Sequence, residues 1–193
     1  MKVAIVKYNA GNVQSVIYAL ERVGLQPILT DEESEIRSAD KVIFPGQGEA
    51  RTAMNYLKQK NLDKLIPELR QPVLGICIGL QLLCNYSEEG DTKCLGVFDL
   101  QVKKFKPLAK VPHIGWNLID NLKGSMFQDI GDQPYLYYVH SYYAEVGEET
   151  VATTDYINTF SAALQKNNFY AVQAHPEKSG STGENILKNF LSL

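Results

Sequence analysis

The sequence predicts an α/β fold built on a doubly wound, mostly parallel central sheet. Two observations carry this. In the first half of the chain, short apolar runs suited to buried strands alternate with stretches whose apolar residues recur at helical spacing. Strand–helix–strand alternation of that kind calls for parallel pairing through crossover helices. The second half changes texture, with aromatic and β-branched runs between turn residues, which predicts an antiparallel extension of the sheet.

Taken in order, residues 2–7 hold Val3, Ala4, Ile5 and Val6, a first buried strand. It breaks at Tyr8-Asn9-Ala10-Gly11-Asn12, where Asn12 suits a helix N-cap. Val13, Val16, Ile17 and Leu20 then trace one helix face, ending at Gly24. Residues 26–30 read as a second strand and residues 41–44 as a third. The loop Pro45-Gly46-Gln47-Gly48-Glu49-Ala50 follows directly. Ala53, Met54 and Leu57 begin one covering helix, and Leu62, Leu65, Ile66 and Leu69 another. Val73, Leu74 and Ile76 form a fourth strand, after which Ile78, Leu82 and Leu83 return to helical spacing. Residues 87–91 read as a polar surface loop. Strand-like runs follow at 96–105, 114–119, 135–144, 151–154, 160–164 and 169–173. Residues 182–193 close the chain as a helix with Ile186, Leu187, Phe190 and Leu191 on its apolar face.

At 193 residues, 45% of them hydrophobic, the chain can bury one sizeable core, and a single domain over residues 1–193 is expected. A net charge of −3 with no basic run argues against a nucleic-acid surface. No apolar run approaches a membrane span, and Met1-Lys2 leads into a strand rather than a signal peptide, so no membrane association is expected. Three cysteines do not make a disulfide framework in a chain this long; a reducing, cytoplasmic setting fits. The histidines and cysteines lack zinc-ligand spacing, and no cofactor is expected.

Doubly wound sheets place their chemistry at the carboxyl ends of strands. At one such end stands Gly75-Ile76-Cys77-Ile78-Gly79. A nucleophile on a sharp strand-to-helix turn needs small neighbours, because its backbone is strained and the helix packs close; this is the cysteine analogue of the Gly-x-Ser-x-Gly elbow. The positive end of the following helix favours a thiolate, and the N–H of Ile78 is placed to meet a developing oxyanion. The other reading is a buried structural cysteine on a tight turn. A cysteine nucleophile needs a base, and the base an orienting group. His175-Pro176-Glu177, just past a strand, offers both, because residues two apart in an extended segment project the same way; a turn histidine without a role is the alternative. His140, inside a strand and without a nearby carboxylate, is ranked as pocket-lining. His113, after Pro112, reads as a loop histidine with a surface or interface role. Cys84 reads as a buried structural thiol, and Cys94 is assigned nothing. The N–H of Gln47 or Gly48 is a candidate second oxyanion donor, since the loop lacks the lysine and hydroxyl residue of a phosphate-binding P-loop.

The Gly75-Ile76-Cys77-Ile78-Gly79-Leu80-Gln81 run, the His175-Pro176-Glu177 run and the Pro45–Gly48 loop together resemble the class I, triad-type glutamine amidotransferases, over nearly the whole chain. Gln47 departs from the small or aliphatic residue more usual there. The resemblance implies a flavodoxin-like sheet, glutamine as substrate, and Cys77, His175 and Glu177 as the catalytic residues. It implies oxyanion donors at Gln47, Gly48 and Ile78, and glutamine contacts from Gly46, Gln81, His140, Ser141 and Tyr142. Within the family, Tyr8–Asn12, Val111-Pro112-His113-Ile114-Gly115-Trp116-Asn117 and Tyr138–Tyr143 are similar to glutaminase subunits that supply ammonia to a (β/α)8-barrel cyclase of histidine biosynthesis. A heterodimer with such a cyclase is therefore expected, with low glutaminase activity in its absence. Trp116, the sole tryptophan, and Asn12 are the interface candidates, against core filling for Trp116 and N-capping for Asn12. Competing readings are the same chemistry serving another synthase, a stand-alone cysteine hydrolase, and a non-catalytic binding module.

Overall fold

The computed structural model describes residues 1–8, 13–46 and 48–193. The first half alternates as predicted: β1 (Val3–Val6), α1 (Gln14–Arg22), β2 (Ile28–Thr30), α2 (Glu33–Arg37), β3 (Lys41–Phe44), α3 (Ala50–Gln59), α4 (Leu62–Leu65), β4 (Val73–Ile76) and α5 (Ile78–Leu83). The second half is largely strands: β5 (Tyr86–Ser87), β6 (Thr92–Lys93), β7 (Gln101–Lys104), β8 (His113–Leu118), β9 (Tyr135–His140), β10 (Tyr142–Ala144), β11 (Thr150–Asp155), β12 (Thr159–Lys166) and β13 (Phe169–Val172). The chain ends in α6 (Gly180–Leu191).

Among the described residues the strands form a seven-stranded sheet in the order β11-β12-β13-β4-β3-β1-β2, a four-stranded sheet β10-β7-β5-β6 and the pair β8-β9. From β13 to β2 the central sheet is parallel; β12 and β11 join antiparallel at one side. Both predicted features, the parallel sheet and its antiparallel extension, are present.

Side-chain alternation makes the sheet two-sided. Ala4, Val6, Val42, Phe44 and Val73 face one way and pack with Leu57, Leu62 and Leu80. Val3, Ile5, Ile43, Leu74 and Ile76 face the other way, against Val16 and Leu20 of α1 and Ile186, Leu187 and Phe190 of α6. Each large side chain buried in this way contributes roughly 1.5–3 kcal/mol, which is why strands with no exposed face hold the middle. Helix α1 closes where the sequence suggests. Gly24, at φ +84°, lets the Leu25 N–H reach Leu20 O at 3.0 Å and its own N–H reach Glu21 O at 2.9 Å.

Register decides where the chemistry can be. Phe44 pairs with Gly75, and Val172 with Ile76, so β3, β4 and β13 end side by side. The segments that leave them, residues 45–46, Cys77 and 173–177, therefore share one edge of the sheet.

Several expectations change. Residues 33–37, left unassigned between strands, form α2, with Ile36 buried beneath a charged surface turn. The segment 87–91 is not a free polar loop: Ser87 is fully buried in β5, and Glu89 Oε2 accepts the Ala50 N–H at 2.9 Å. Only Gln101–Lys104 of the run 96–105 is strand, and the run 135–144 breaks at Ser141 into β9 and β10, which lie in different sheets. The cap position of α1 falls at Val13, and Asn12 lies outside the described residues.

Candidate active site

The chain turns sharply where β4 meets α5. Cys77 caps the helix at φ 53°, ψ −107°, a conformation that L-residues adopt only when their surroundings impose it. Its N–H still donates to Val172 O at 2.8 Å, so the sheet holds the turn up to Cys77 itself. The neighbouring glycines are there for closeness. A Cβ on Gly79 would lie 2.1 Å from Phe44 O, and one on Gly75 2.9 Å from Gly79 C. Gly46 reaches the same place: a Cβ on it would stand 2.6 Å from Ile78 N. The Tyr8 hydroxyl donates to Pro45 O and anchors the loop from below. Ile78 N–H, first in its helix, has no intrahelical acceptor and borders the loop. Gly48 lines the same pocket; Gln47 lies outside the described residues.

His175 arrives from the strand beyond β4. Its N–H donates to Tyr137 O at 2.9 Å, its carbonyl accepts from Ser179 Oγ at 2.6 Å, and Ser179 Oγ in turn accepts the Tyr137 N–H at 2.9 Å. The segment after it is not extended: Pro176–Lys178 form a 3-10 turn, which brings the Glu177 carboxylate back onto the ring. His175 Nδ1 donates to Glu177 Oε1 at 2.8 Å, with the two side chains only 2% and 3% exposed. The ring and the Cys77 sulfur line the same pocket. Burial alone would drive the imidazole neutral, and it is the largest single influence. The neighbouring Cys77 sulfur and the Glu177 carboxylate together outweigh it and raise the His175 pKa to about 10. The charged imidazole is thereby favoured beside the Cys77 sulfur.

These residues open onto a pocket of about 420 Å³, lined by Gly46, Gly48, Cys77, Ile78, Gln81, His140, Ser141, Tyr142 and His175 among others. The described candidates thus meet in one place, with Glu177 held behind His175 rather than in the lining. The floor is a buried hydrogen-bonded set. Gln81 Nε2 donates to Tyr142 O at 2.9 Å and to Gln173 Oε1 at 3.0 Å, and Gln173 Nε2 faces Cys77 Sγ at 3.6 Å. Val139 O lies 3.9 Å from the same sulfur. His140 Nδ1 lies 2.8 Å from Tyr142 O, and burial pushes its pKa down to about 3. His140 is a neutral wall residue without a carboxylate partner.

Sequence reasoning missed four contributors. Gln173 sits two residues before His175, a spacing that could have flagged it as sharing the same side. Glu89 and Lys178 also line the pocket, and neither carries a local signal. The fourth is a correction: His113 is neither in a loop nor at the surface. It is buried in β8, paired with His140 in register, and stacked 4.0 Å from Tyr156. Pro112 misled, because the strand starts directly after it. Cys84 and Cys94 are buried away from the pocket, and burial raises both thiols, Cys94 to about 12. Among the described residues no group of three His, Cys, Asp or Glu could hold a metal ion. Trp116 lies in β8 and is 54% exposed, which excludes core filling.

Comparison with known proteins adds the following. The family model "Glutamine amidotransferase class-I" matches residues 4–193. Two curated relatives are each called "Imidazole glycerol phosphate synthase subunit HisH". That of Bacteroides fragilis (strain YCH46) is 57% identical, covering 100% of both chains. That of Pectobacterium atrosepticum is 45% identical with the same coverage. A solved glutamine amidotransferase of Thermotoga maritima superposes with TM-score 0.68 at 16% identity, over 100% of this chain and 83% of that one.

Proposed function

The chain belongs to the class I glutamine amidotransferases, and within them to the HisH subunits of imidazole glycerol phosphate synthase; from that premise we propose how its residues divide the work. Its function is that of the glutaminase subunit of that synthase, in histidine biosynthesis, with glutamine as substrate and a second synthase subunit as partner.

In this reading Cys77 Sγ attacks the side-chain amide carbon of glutamine. The carbonyl oxygen takes the negative charge and is met by the N–H groups of Ile78 and Gly48, each such donor being worth roughly 3–4 kcal/mol. As the tetrahedral adduct collapses, the carbon–nitrogen bond breaks and His175 gives its proton to the departing nitrogen, releasing ammonia and leaving a thioester. Water then adds to the thioester carbon while His175 takes its proton. The carbon–sulfur bond breaks, glutamate leaves and the thiolate is restored. Glu177 holds the ring through Nδ1 so that Nε2 faces the sulfur. The observation that supports this most strongly is the strained Cys77 turn with the buried His175–Glu177 pair against it.

Released ammonia is protonated in bulk water, so delivery calls for a partner close to the pocket. The outward face of β8 and β9 suits one. Ile114, Trp116, Tyr135 and Val139 stand exposed there, while the Val139 backbone borders Cys77. We place the partner on this face, as a (β/α)8-barrel cyclase in a heterodimer; Asn12 remains an interface candidate from the resemblance. We read residues 1–193 as one glutaminase domain acting in the cytoplasm, a setting that suits the free cysteines. No helix among the described residues is long and apolar enough to cross a membrane.

The test is the Cys77→Ala chain assembled with its synthase partner. Synthesis fed by glutamine should vanish while synthesis fed by added ammonia persists. Retained glutamine-dependent turnover would refute the assignment, and amide hydrolysis with no partner requirement and no preference for glutamine would favour a stand-alone hydrolase.

A further inference from the structure

His113 takes no part in the chemistry above, yet it is one of the best-partnered side chains near the site. Its ring lies between Tyr138, at 5.0 Å and 18°, and Tyr156, at 4.0 Å and 16°. Its Nδ1 is 3.0 Å from His140 Nε2, and its Nε2 is 3.4 Å from Asn117 Nδ2. His140 Nδ1 in turn is 2.8 Å from Tyr142 O.

The proton positions follow by elimination. A carbonyl oxygen only accepts, so His140 Nδ1 must carry the hydrogen. Burial holds both rings neutral, with pKa values pushed down to about 3 for His140 and about 4 for His113. His140 Nε2 is therefore bare and accepts, so His113 Nδ1 is the donor. His113 Nε2 is then bare as well, and Asn117 Nδ2 points its hydrogen there. The chain of donors runs one way: Asn117 to His113 to His140 to the Tyr142 carbonyl. That carbonyl also receives Gln81 Nε2, whose second hydrogen goes to Gln173 Oε1 and leaves Gln173 Nε2 facing Cys77.

We propose that His113 is a positioning residue of the glutaminase site: by donating to His140 it locks that imidazole in its Nδ1–H form and so fixes the Tyr142 carbonyl and the Gln81 side chain on the substrate's side of the pocket. His113 touches neither glutamine nor the sulfur. Its effect passes through His140, and it rests on the reading of this pocket as the glutamine site. Without the donor, His140 can move its hydrogen to Nε2. Its bare Nδ1 would then face the carbonyl lone pair, and the carbonyl would lose one of its two donors.

Two substitutions separate hydrogen bonding from packing. His113→Phe keeps a ring between the two tyrosines and removes the donor; His113→Asn removes the ring and keeps an N–H near the same point. The readouts are the histidine tautomers, from nitrogen-15 spectra of the full chain, and the glutamine KM and kcat of the complex with its synthase partner. Both wild-type rings should show the neutral Nδ1–H form. His113→Asn should keep that form at His140 with KM within about threefold, and His113→Phe should mix the tautomers and raise KM about tenfold, the change expected from one buried hydrogen bond. An Nε2–H ring at wild-type His140 overturns the proposal, whether or not His113→Phe folds. A wild-type KM in His113→Phe, or equal damage in both variants, overturns it too. If the wild-type complex releases no ammonia from glutamine, the functional reading fails and takes this proposal with it.

Discussion

His175 Nδ1 and Glu177 Oε1 stand 2.8 Å apart with both side chains all but sealed from water, and only a 3-10 turn separates them in the chain. Sealed from solvent, the carboxylate acts on the ring both as hydrogen-bond acceptor and as charge, and each raises the His175 pKa.

A pH dependence follows. In the proposed mechanism the His175 proton goes to the leaving ammonia, and with a pKa near 10 it is retained through neutrality. Glutamine turnover should hold up well past the ordinary histidine range and fall only as pH rises toward 10. Glu177→Gln removes one of the charges that raise the value, so the alkaline limb should move down in pH while kcat falls about 10²–10⁴-fold. Rate profiles for both proteins decide this; an unmoved limb would mean that Glu177 does not act on the ring.

The three cysteines should react unequally. Brief treatment of the folded chain with iodoacetamide should alkylate Cys77, which lines the pocket, and spare Cys84 and Cys94, whose thiols burial holds protonated. Gln173→Leu removes an N–H facing the sulfur and leaves Gln81 one acceptor short, at a cost of about 1–3 kcal/mol. Alkylation of Cys77 should slow several-fold, measured by mass spectrometry of the digested protein; an unchanged rate would exclude a role for Gln173 at the sulfur.

Gly79→Ala tests the elbow. The new Cβ would meet the Phe44 carbonyl, which is held inside the sheet and cannot step aside. Overpacking of this kind costs about 1–3 kcal/mol, or roughly 2–4 °C in Tm per kcal/mol for a chain of this size. Thermal unfolding should show that drop, and the alkylation rate of Cys77 should fall with it. Unchanged Tm and reactivity would mean that the close approach is not required.

Trp116→Ala should leave Tm almost unchanged, because its ring is half exposed. Affinity for the synthase partner should weaken by at least about thirtyfold, the loss of an interface anchor of 2 kcal/mol or more. Titration calorimetry with the purified partner measures it; equal affinity would move the interface off β8 and β9.

Much of this molecule is local in origin. Unbroken apolar runs in β1, β3 and β4 state that both faces of those strands are buried. Gly75 and Gly79 around Cys77 state that something packs closely there. His175 and Glu177, two positions apart, carry their own pairing. Those features need only neighbours in sequence, and the strand-to-helix period, the elbow and the imidazole–carboxylate pair could all be read without coordinates. What the period cannot say is which element a buried face meets. Gln173 reaches Cys77 across 96 positions and His113 meets His140 across 27. Both contacts exist only because β13 pairs with β4, and β8 with β9, in one particular register. A histidine after a proline looks like a loop residue until its strand finds its partner. The strand–helix alternation, the Cys77 turn and the His175–Glu177 pair were legible in neighbouring residues; which side chains close around them was set by the packing of distant segments, because strand register is a property of pairs of segments and not of either one.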